Sequence, residues 1–517
     1  VAFKQRDFSD ALGFPEVAFV PRRYGWSALG GPEFATLTAF GPAHALWSLT
    51  HQLRAPVEVL DGRGTAVWWG YLASVTVRVG AITVGVSLDT LYNRVAVAYA
   101  HVAPGTTTAG TRATTAWAQN DDSVSRYGSK ELLASLQSAS PELAEARRAT
   151  LLAQHRYPIP LVEQVAPGRG SLSATLRCRG WWATLGWTYY DRAAYVEEHT
   201  DDANTSDQTL GAAAGNTRVT QSFQLTAAWT AYSVQVRLKA VESPGDSVRL
   251  DLCADNSGAP GTVLDSVTVP ASSLTTSYQW IEFALDPLQD LAGSVTYWIV
   301  LRRTGGLDAT NHYAVEVDED LGYTSGQLRL YNGSTWVART PDADVLFSVT
   351  GVEETTTQVA TAVGDAGEFI TAVDVVDASG VYSSPYRSGD DELLAVVGEL
   401  LAGGTSDGRR LLTRVTRDRV LRVYEEPELD TGAIELFVNA DGRPEDRWGN
   451  ARLAHTCPVA QWCALKDVIP PTLSVSQMSD PSYFFVERAE FDVQQQVWLP
   501  EPRGVPSAWD LGQLLQG

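Results

Sequence analysis

The sequence predicts a mainly β chain with α+β elements, in which a β-sandwich is inserted between two flanks. Three observations predict it. Short alternating apolar segments cut by Gly, Asp and Asn fill the first hundred residues and the middle of the chain. Helical periodicity is confined to a stretch after Ser140 and two stretches after residue 353. Residues 199–352 are richer in Thr, Ser, Asn, Asp and Gly than either side. With 517 residues, 44% hydrophobic and 19% charged, the chain is long enough for several domains that each bury a core.

The elements follow in order. PVEVLDGRGTAVWWGYLASVTVRVGAITVGVSLDTLYNRVAVAY, within 1–102, holds four or five alternating segments punctuated by glycine, which reads as a small antiparallel barrel or sandwich. PGTTTAGTRATT reads as a mobile loop. Next, Ser140 is an N-cap, Pro141 suits the first helical position, and Leu143, Ala146, Ala149 and Leu152 set out an apolar face. RGWWATLGWTYYD, within 171–198, reads as strands crossing a core. VTQSFQL, AYSVQVRLKAV, SVRLDLCA, QWIEFAL, VTYWIVLRR, HYAVEV, GQLRLYN and DVLFSVTG give about eight strands, enough for one sandwich. One of its hairpins is DLCADNSGAPGTVLDSVTV, with Cys253 expected inside and Gly258 and Gly261 shaping the turn. After 353 the order is helix, strand, helix, strand, strand, and 430–517 is strand and loop with proline-rich turns. The expected domains are therefore 1–102, 103–198, 199–352, 353–429 and 430–517.

Charge and motifs narrow the function. The net charge is −22, and residues 199–352 alone carry 18 acidic against 8 basic side chains. Such a surface repels phosphates and anionic lipid, which disfavours DNA binding but suits a wall past which DNA slides. No apolar run reaches 18 residues, so no membrane span is expected, and VAFKQRDFSD does not read as a signal peptide. Cys178, Cys253, Cys457 and Cys463 are too few and scattered for a disulfide scaffold and are expected as buried thiols. GxSxG, HExxH, GxxxxGK[ST] and a helix-opening GxGxxG are all missing, and seven histidines are dispersed; neither catalysis nor a cofactor is expected.

Several acidic groups are dense enough to raise the question of catalysis or metal binding. Asp390-Asp391-Glu392 is explained by the preference of helix starts for negative charge. Asp255, Asn256, Asp318 and Asp320 are oxygen ligands of the kind calcium takes, but equally good turn formers, and no metal is expected. NADGRPED (439–446) lacks the spacing and terminal Glu of a calcium loop. Among the aromatics of the insert, Trp280 and Tyr297 or Trp298 lie inside alternating strands and are expected in the core. Tyr313, Tyr323 and Trp336 lie near turns; with Asp318 they form the candidate glycan-binding face, flat rings beside a hydrogen-bonding carboxylate.

Two resemblances cover most of the chain. VWWGYLASVTV, VGVSLDTLYNRVAVAY, DDSVSRYGSKE, LLAQHRYP and RGWWATLGWTYYD, then VATAVGDAGEFITAVDV and TSDGRRLLTRVTRDRVLRVYEEP, resemble in their order the hub proteins of phage tail tips and baseplates. QSFQLTAAWTAYSVQVRL, LCADNSGAPGTVL, SSLTTSYQWIEFAL, VTYWIVL and YNGSTW resemble jelly-roll modules of bacterial surface and secreted proteins, usually presumed to bind carbohydrate. The first resemblance implies two tube-like β-barrel domains per chain and a homotrimeric ring at the end of the tail tube. It also implies tail-tube or distal-tail and tape-measure partners, assembly in the host bacterial cytoplasm and a place in the virion. Viral DNA would pass through without specific binding, and host-surface carbohydrate is the expected contact of the insert. The alternatives are a hub of a non-phage contractile injection system and a polysaccharide-degrading tail enzyme.

Overall fold

The structure, a computed structural model, describes residues 1–80, 82–101, 110–165, 172–320, 322–427, 434–438, 444–445, 459–466, 483–495 and 497–503. The chain is mainly β with α+β elements. It forms two compact units, one of Val1–Asp191, Thr355–Val381 and Ser388–Gly517, the other of Arg192–Glu354 and Tyr382–Arg387.

The first unit is organised by a long antiparallel sheet that curls as a half-barrel. Ala18–Ser27 and Leu29–Phe40 form a hairpin. Ser173–Arg179 pairs with Leu29–Phe40 on one edge and with Ala66–Val79 on the other. Ala66–Val79 in turn carries Pro56–Leu60 and Ile82–Ser87. Two glycines permit this crowding. A Cβ on Gly70 would lie 2.1 Å from the Arg179 carbonyl oxygen, and one on Gly180 would lie 1.7 Å from that of Pro32.

The second flank completes the same unit. Leu411–Val415 runs parallel to the start of Leu29–Phe40, with Thr413 opposite Leu29, and pairs antiparallel with Val420–Glu425, itself parallel to Ala372–Val375. Tyr483–Asp492 pairs with Ala18–Ser27. Helices Thr355–Ala366 and Leu393–Ala402 place Val359, Val363, Val396 and Leu400 in one core with Leu37, Trp68 and Tyr71. The expected helix, strand, helix, strand and strand are all present, but two further strands, Tyr382–Ser383 and Arg387–Glu392, precede the second helix, so Asp390 and Asp391 lie in a strand and not in a helix start as expected. Directional bonds fix the junction: Arg417 donates from Nε and Nη2 to the two oxygens of Glu58 at 2.9 and 2.7 Å. Lys4 lies 3.2 Å from the same carboxylate, and Trp69 Nε1 donates to the Val415 carbonyl at 3.1 Å.

Two expectations in this unit are corrected. The helix Pro141–His155 is capped by Ser140 as predicted, with Leu143 N–H donating to Ser140 Oγ, but its buried face is Ala144 and Leu151. Leu143 is 56% exposed, and Ala146 and Ala149 also face solvent. Steps of three residues fall about 60° short of a full turn, so 143, 146, 149 and 152 spiral off any single face, whereas 144, 148, 151 and 155 stay on one. Trp181–Trp187, expected as strand, is a 3-10 helix. Trp181, Thr184 and Trp187 recur every three residues, the 3-10 period, and all three are buried. Trp181 and Trp187 pack on Tyr71 at 5.2 and 5.6 Å and on Phe369 at 5.8 and 5.5 Å.

The second unit is a sandwich of an eight-stranded and a six-stranded sheet. Trp229–Val241 is central to the first sheet and pairs with Gln279–Leu291, Phe347–Glu354 and His312–Asp318. The second sheet orders Pro260–Pro270, Ser247–Asp255, Thr296–Arg303, Arg218–Gln224 and Leu328–Tyr331. Alternation puts Val234, Val236 and Leu238 against Leu250, Leu252, Ile299 and Leu301. The hairpin at 247–270 turns as expected, with Gly258 at φ 83° and its N–H on the Asp255 carboxylate. Cys253 and Cys178 are buried free thiols, and burial pushes the Cys253 thiol up to about 11.

Some expectations fall on residues that are not described. These are part of PGTTTAGTRATT (104–109), most of NADGRPED, Cys457 and the Cys463 side chain, and most of 430–517.

Burial raises the Glu58 pKa, but the Arg417 hydrogen bonds and the Lys4 charge outweigh it, so the carboxyl sits below its ordinary value. Its contribution is present above the unfolded carboxylate range and lost as pH falls through the depressed folded value. Glu58→Gln is expected to destabilise the protein by about 1–3 kcal/mol at pH 7. Denaturant melts of the two proteins should converge as pH falls below about 4.

Candidate functional site

The aromatic residues of the sandwich fall into two groups that the strand pleat separates. In Gln279–Leu291, Ile281, Phe283 and Leu285 point inward, so Trp280 and Glu282 point outward. Trp280 is 39% exposed and lies directly opposite Arg237 on the neighbouring strand. One rung along, Glu198, Ser348, Gln235 and Glu282 form a continuous row across four strands. Glu198, Asp202, Gln235, Arg237, Trp280 and Ser348 line a groove of about 290 Å³ on this face. Arg237 is held between Asp202 at 3.0 Å and Glu316 at 2.8 Å, which fixes its guanidinium beside the indole. On the same face, Lys239 Nζ lies 2.6 Å from Asp207, and the Tyr278 hydroxyl donates to that carboxylate at 2.9 Å. Burial tends to raise the Asp207 pKa, but these two hydrogen bonds prevail and lower it.

The groove therefore combines one flat apolar face with amide, hydroxyl, guanidinium and carboxylate groups held in a plane by the sheet. That is the chemistry that takes a sugar ring: C–H groups against the indole, hydroxyls to the planar polar groups.

The residues expected to form the glycan face are elsewhere. Tyr313 is fully buried (0% exposed), and its hydroxyl donates to the Asp246 carbonyl at 2.7 Å. Burial, then the Asp246 charge, pushes that phenol up to about 12. Asp318 is 1% exposed and accepts from the His199 ring at 3.1 Å and from the Asp320 N–H at 3.0 Å. Tyr323 is buried edge-on to Phe347, with its hydroxyl donating to Glu197 at 2.8 Å. Trp336 is half-buried against Tyr331, with ring centroids 5.0 Å apart. Nearness to a turn is what suggested a surface position for these residues. In the fold, His312–Asp318 is flanked by Thr205–Leu210 and Trp229–Val241, and the sandwich covers all seven of its residues. Trp280, expected in the core, is exposed. Its parity with Glu282 is the signal in the sequence that marks it as outward.

The oxygen ligands considered for calcium are committed to the protein. Asp255 accepts from Gly258 N–H and from Trp298 Nε1 at 2.7 Å, and Asp320 accepts from Asn204 at 2.7 Å. No group of three or more potential metal ligands occurs among the described residues.

A second concavity, a cleft of about 820 Å³, lies in the first unit beside Arg94, Trp117, Glu131, Tyr189, Glu368 and Asp390. Glu131 accepts from Arg94 and from Tyr189 N–H, both at 2.6 Å, and Glu368 accepts from Ser129 N–H at 2.6 Å. Burial pushes both carboxyls up.

No protein-family model and no curated protein matches the chain. Among solved structures, it is similar to CsCBM6-3 from Clostridium stercorarium in complex with cellobiose, at 14% identity over 23% of this chain and 87% of that one, with a TM-score of 0.14. It is also similar to a family two carbohydrate esterase from Cellvibrio japonicus, at 12% identity over 28% and 35% of the two chains and a TM-score of 0.12. A third similarity is to the VP2 subviral particle of infectious bursal disease virus, at 12% identity over 65% and 78% and a TM-score of 0.16. Likenesses at these TM-scores carry no argument about fold or activity.

Two substitutions separate the buried ring from the exposed one. Tyr313→Phe is expected to lower stability by about 1 kcal/mol through the lost hydrogen bond. Trp280→Phe should change it by less than about 0.5 kcal/mol, the usual range for exposed positions. Urea midpoints of both variants check this.

Proposed function

We propose that the chain is a structural virion protein of a phage tail tip, a hub that caps or continues the tail tube. In this reading the first unit assembles with two further copies into a ring around the DNA channel, against tail-tube or distal-tail and tape-measure proteins. The sandwich then offers the Trp280 groove to a host-surface glycan. The observation that carries the proposal is that the two hub-like flanks form one compact unit although 163 residues of sandwich, Arg192–Glu354, interrupt them. A decoration inserted into a hub is organised in that way. The charge of −22 suits a channel wall that does not hold the genome back. A hub of a contractile injection system would look the same at the level of one chain; finding capsid and terminase genes next to this one would favour the phage.

A second reading is supported by one observation: Glu131 and Glu368 line one cleft and both are pushed toward the neutral form, as a general acid requires. Incubation with host-wall polymer that releases sugar, and a Glu131→Gln variant that does not, would establish cleavage in place of a purely structural role.

The adsorption role is tested on particles carrying Trp280→Ala. Loss of the ring's stacking contact should reduce binding to host cells by about tenfold or more, while particle yield stays unchanged. Unchanged adsorption would remove the glycan contact and leave the sandwich as decoration.

A further inference from the structure

A cluster of four arginines stands out in this acidic chain. Arg6 and Arg126 both lie against the ring of Tyr127, with guanidinium carbons 5.4 and 5.3 Å from its centroid. Arg54 lies 5.1 Å over Phe369, and Arg419 lies 3.6 Å over Phe8. The rings adjoin, since Trp181 is 5.3 Å from Phe8 and 5.8 Å from Phe369. The Arg54 side chain is also tied to the backbone of Arg6, its Nη1 donating to the Arg6 carbonyl at 2.7 Å.

Neutral groups hold these cations. Arg6 donates from Nε to the Leu53 carbonyl at 2.8 Å and from Nη2 to the His51 carbonyl, and Arg419 Nη1 donates to the Phe369 carbonyl at 3.3 Å. None of the four forms an ion pair among the described residues. Arg54 is 6% exposed, and its buried Nε has no acceptor among them. The carboxylates that act on Arg54 from a distance are Glu368 and Asp7. Glu368 already accepts from Ser129 N–H, and Asp7 from the Ser9 N–H and hydroxyl. Burial, then neighbouring arginines, lowers the pKa of Arg54 to about 10, and burial, then Arg126, lowers that of Arg6. Glu368 and Asp7 thus offset the mutual repulsion only in part, and Arg54 stays below its ordinary value.

We infer that this patch is an oxyanion site, built to receive a phosphate or carboxylate group on the heads of Arg6, Arg126 and Arg419, with Arg54 adding positive charge from beneath. Planar guanidinium groups offer several N–H donors to the oxygens of such a group, and Arg6 and Arg126 share the ring of Tyr127. A halide has no second oxygen to engage, so the preference is for oxyanions over chloride at equal ionic strength.

The test is a thermal melt of the full chain in increasing phosphate or succinate, with sodium chloride holding ionic strength constant. A saturable rise in Tm with either probe is expected, and the probe that acts identifies which oxyanion the site takes. Arg126→Gln, an exposed position, should raise the apparent Kd about 3- to 10-fold, while Arg147→Gln on the distant helix face should leave it unchanged. Equal melting in chloride and in both probes would overturn the inference. So would an Arg147→Gln effect as large as that of Arg126→Gln.

Discussion

The pairing of the sandwich's first and last strands is the constraint on which the rest depends. Val196–His199 runs antiparallel to Phe347–Glu354, from Val196 opposite Thr350 to His199 opposite Phe347. The Arg192 guanidinium closes the open end on Glu353, with the Tyr195 hydroxyl 3.2 Å from the same carboxylate. Incoming and outgoing chain are therefore neighbours, although more than 150 residues separate them. A loop of that length would otherwise impose a large closure cost on any contact between the flanks. With its ends paired, the sandwich acts on the flanks as a short connection, and strands and core residues of both flanks join in a shared sheet and a shared core.

The closure of the flanks depends on matched geometry more than on bulk apolar area. The parallel register of Thr413 with Leu29, the two-point bond of Arg417 to Glu58 and the indole bond of Trp69 to Val415 all join segments more than 340 residues apart. Each is directional and specifies one alignment. Around them pack the rings of Tyr71, Trp181, Trp187 and Phe369. Beside them, Arg54 covers Phe369, Arg419 covers Phe8, and Arg6 and Arg126 lie against Tyr127. They cover aromatic faces, and they leave a positive patch on a negative chain.

Much of the architecture was legible in the sequence because it rests on local periodicity. The cap at Ser140, the turn at Gly258, the helices and strands after 353 and the buried Trp298 each follow from residues within a few positions of one another. The expectations failed where a second constraint overrode the local one. The run of tryptophans after Gly180 has β-forming residues, but its spacing of three is satisfied by a 3-10 turn that buries Trp181 and Trp187 together. Tyr313 and Asp318 lie close to turns, but strands on either side and a facing sheet bury them. Trp280 lies inside an alternating strand, which suggests the core, but its parity with Glu282 puts it on the outward face. No local pattern could have assembled Arg6, Arg54, Arg126 and Arg419, which meet only once the flanks have closed.

The central claim is that the flanks form a self-sufficient unit into which the sandwich is inserted. It is tested most directly by replacing residues 193–353 with a short Gly-Ser linker and following near-ultraviolet circular dichroism and thermal melting. The account predicts that the tryptophan signal of the Trp181–Trp187 region persists and melts in one cooperative transition, within about 5 °C of the flank transition in the full chain. A variant that lacks that signal and melts without cooperativity would contradict it.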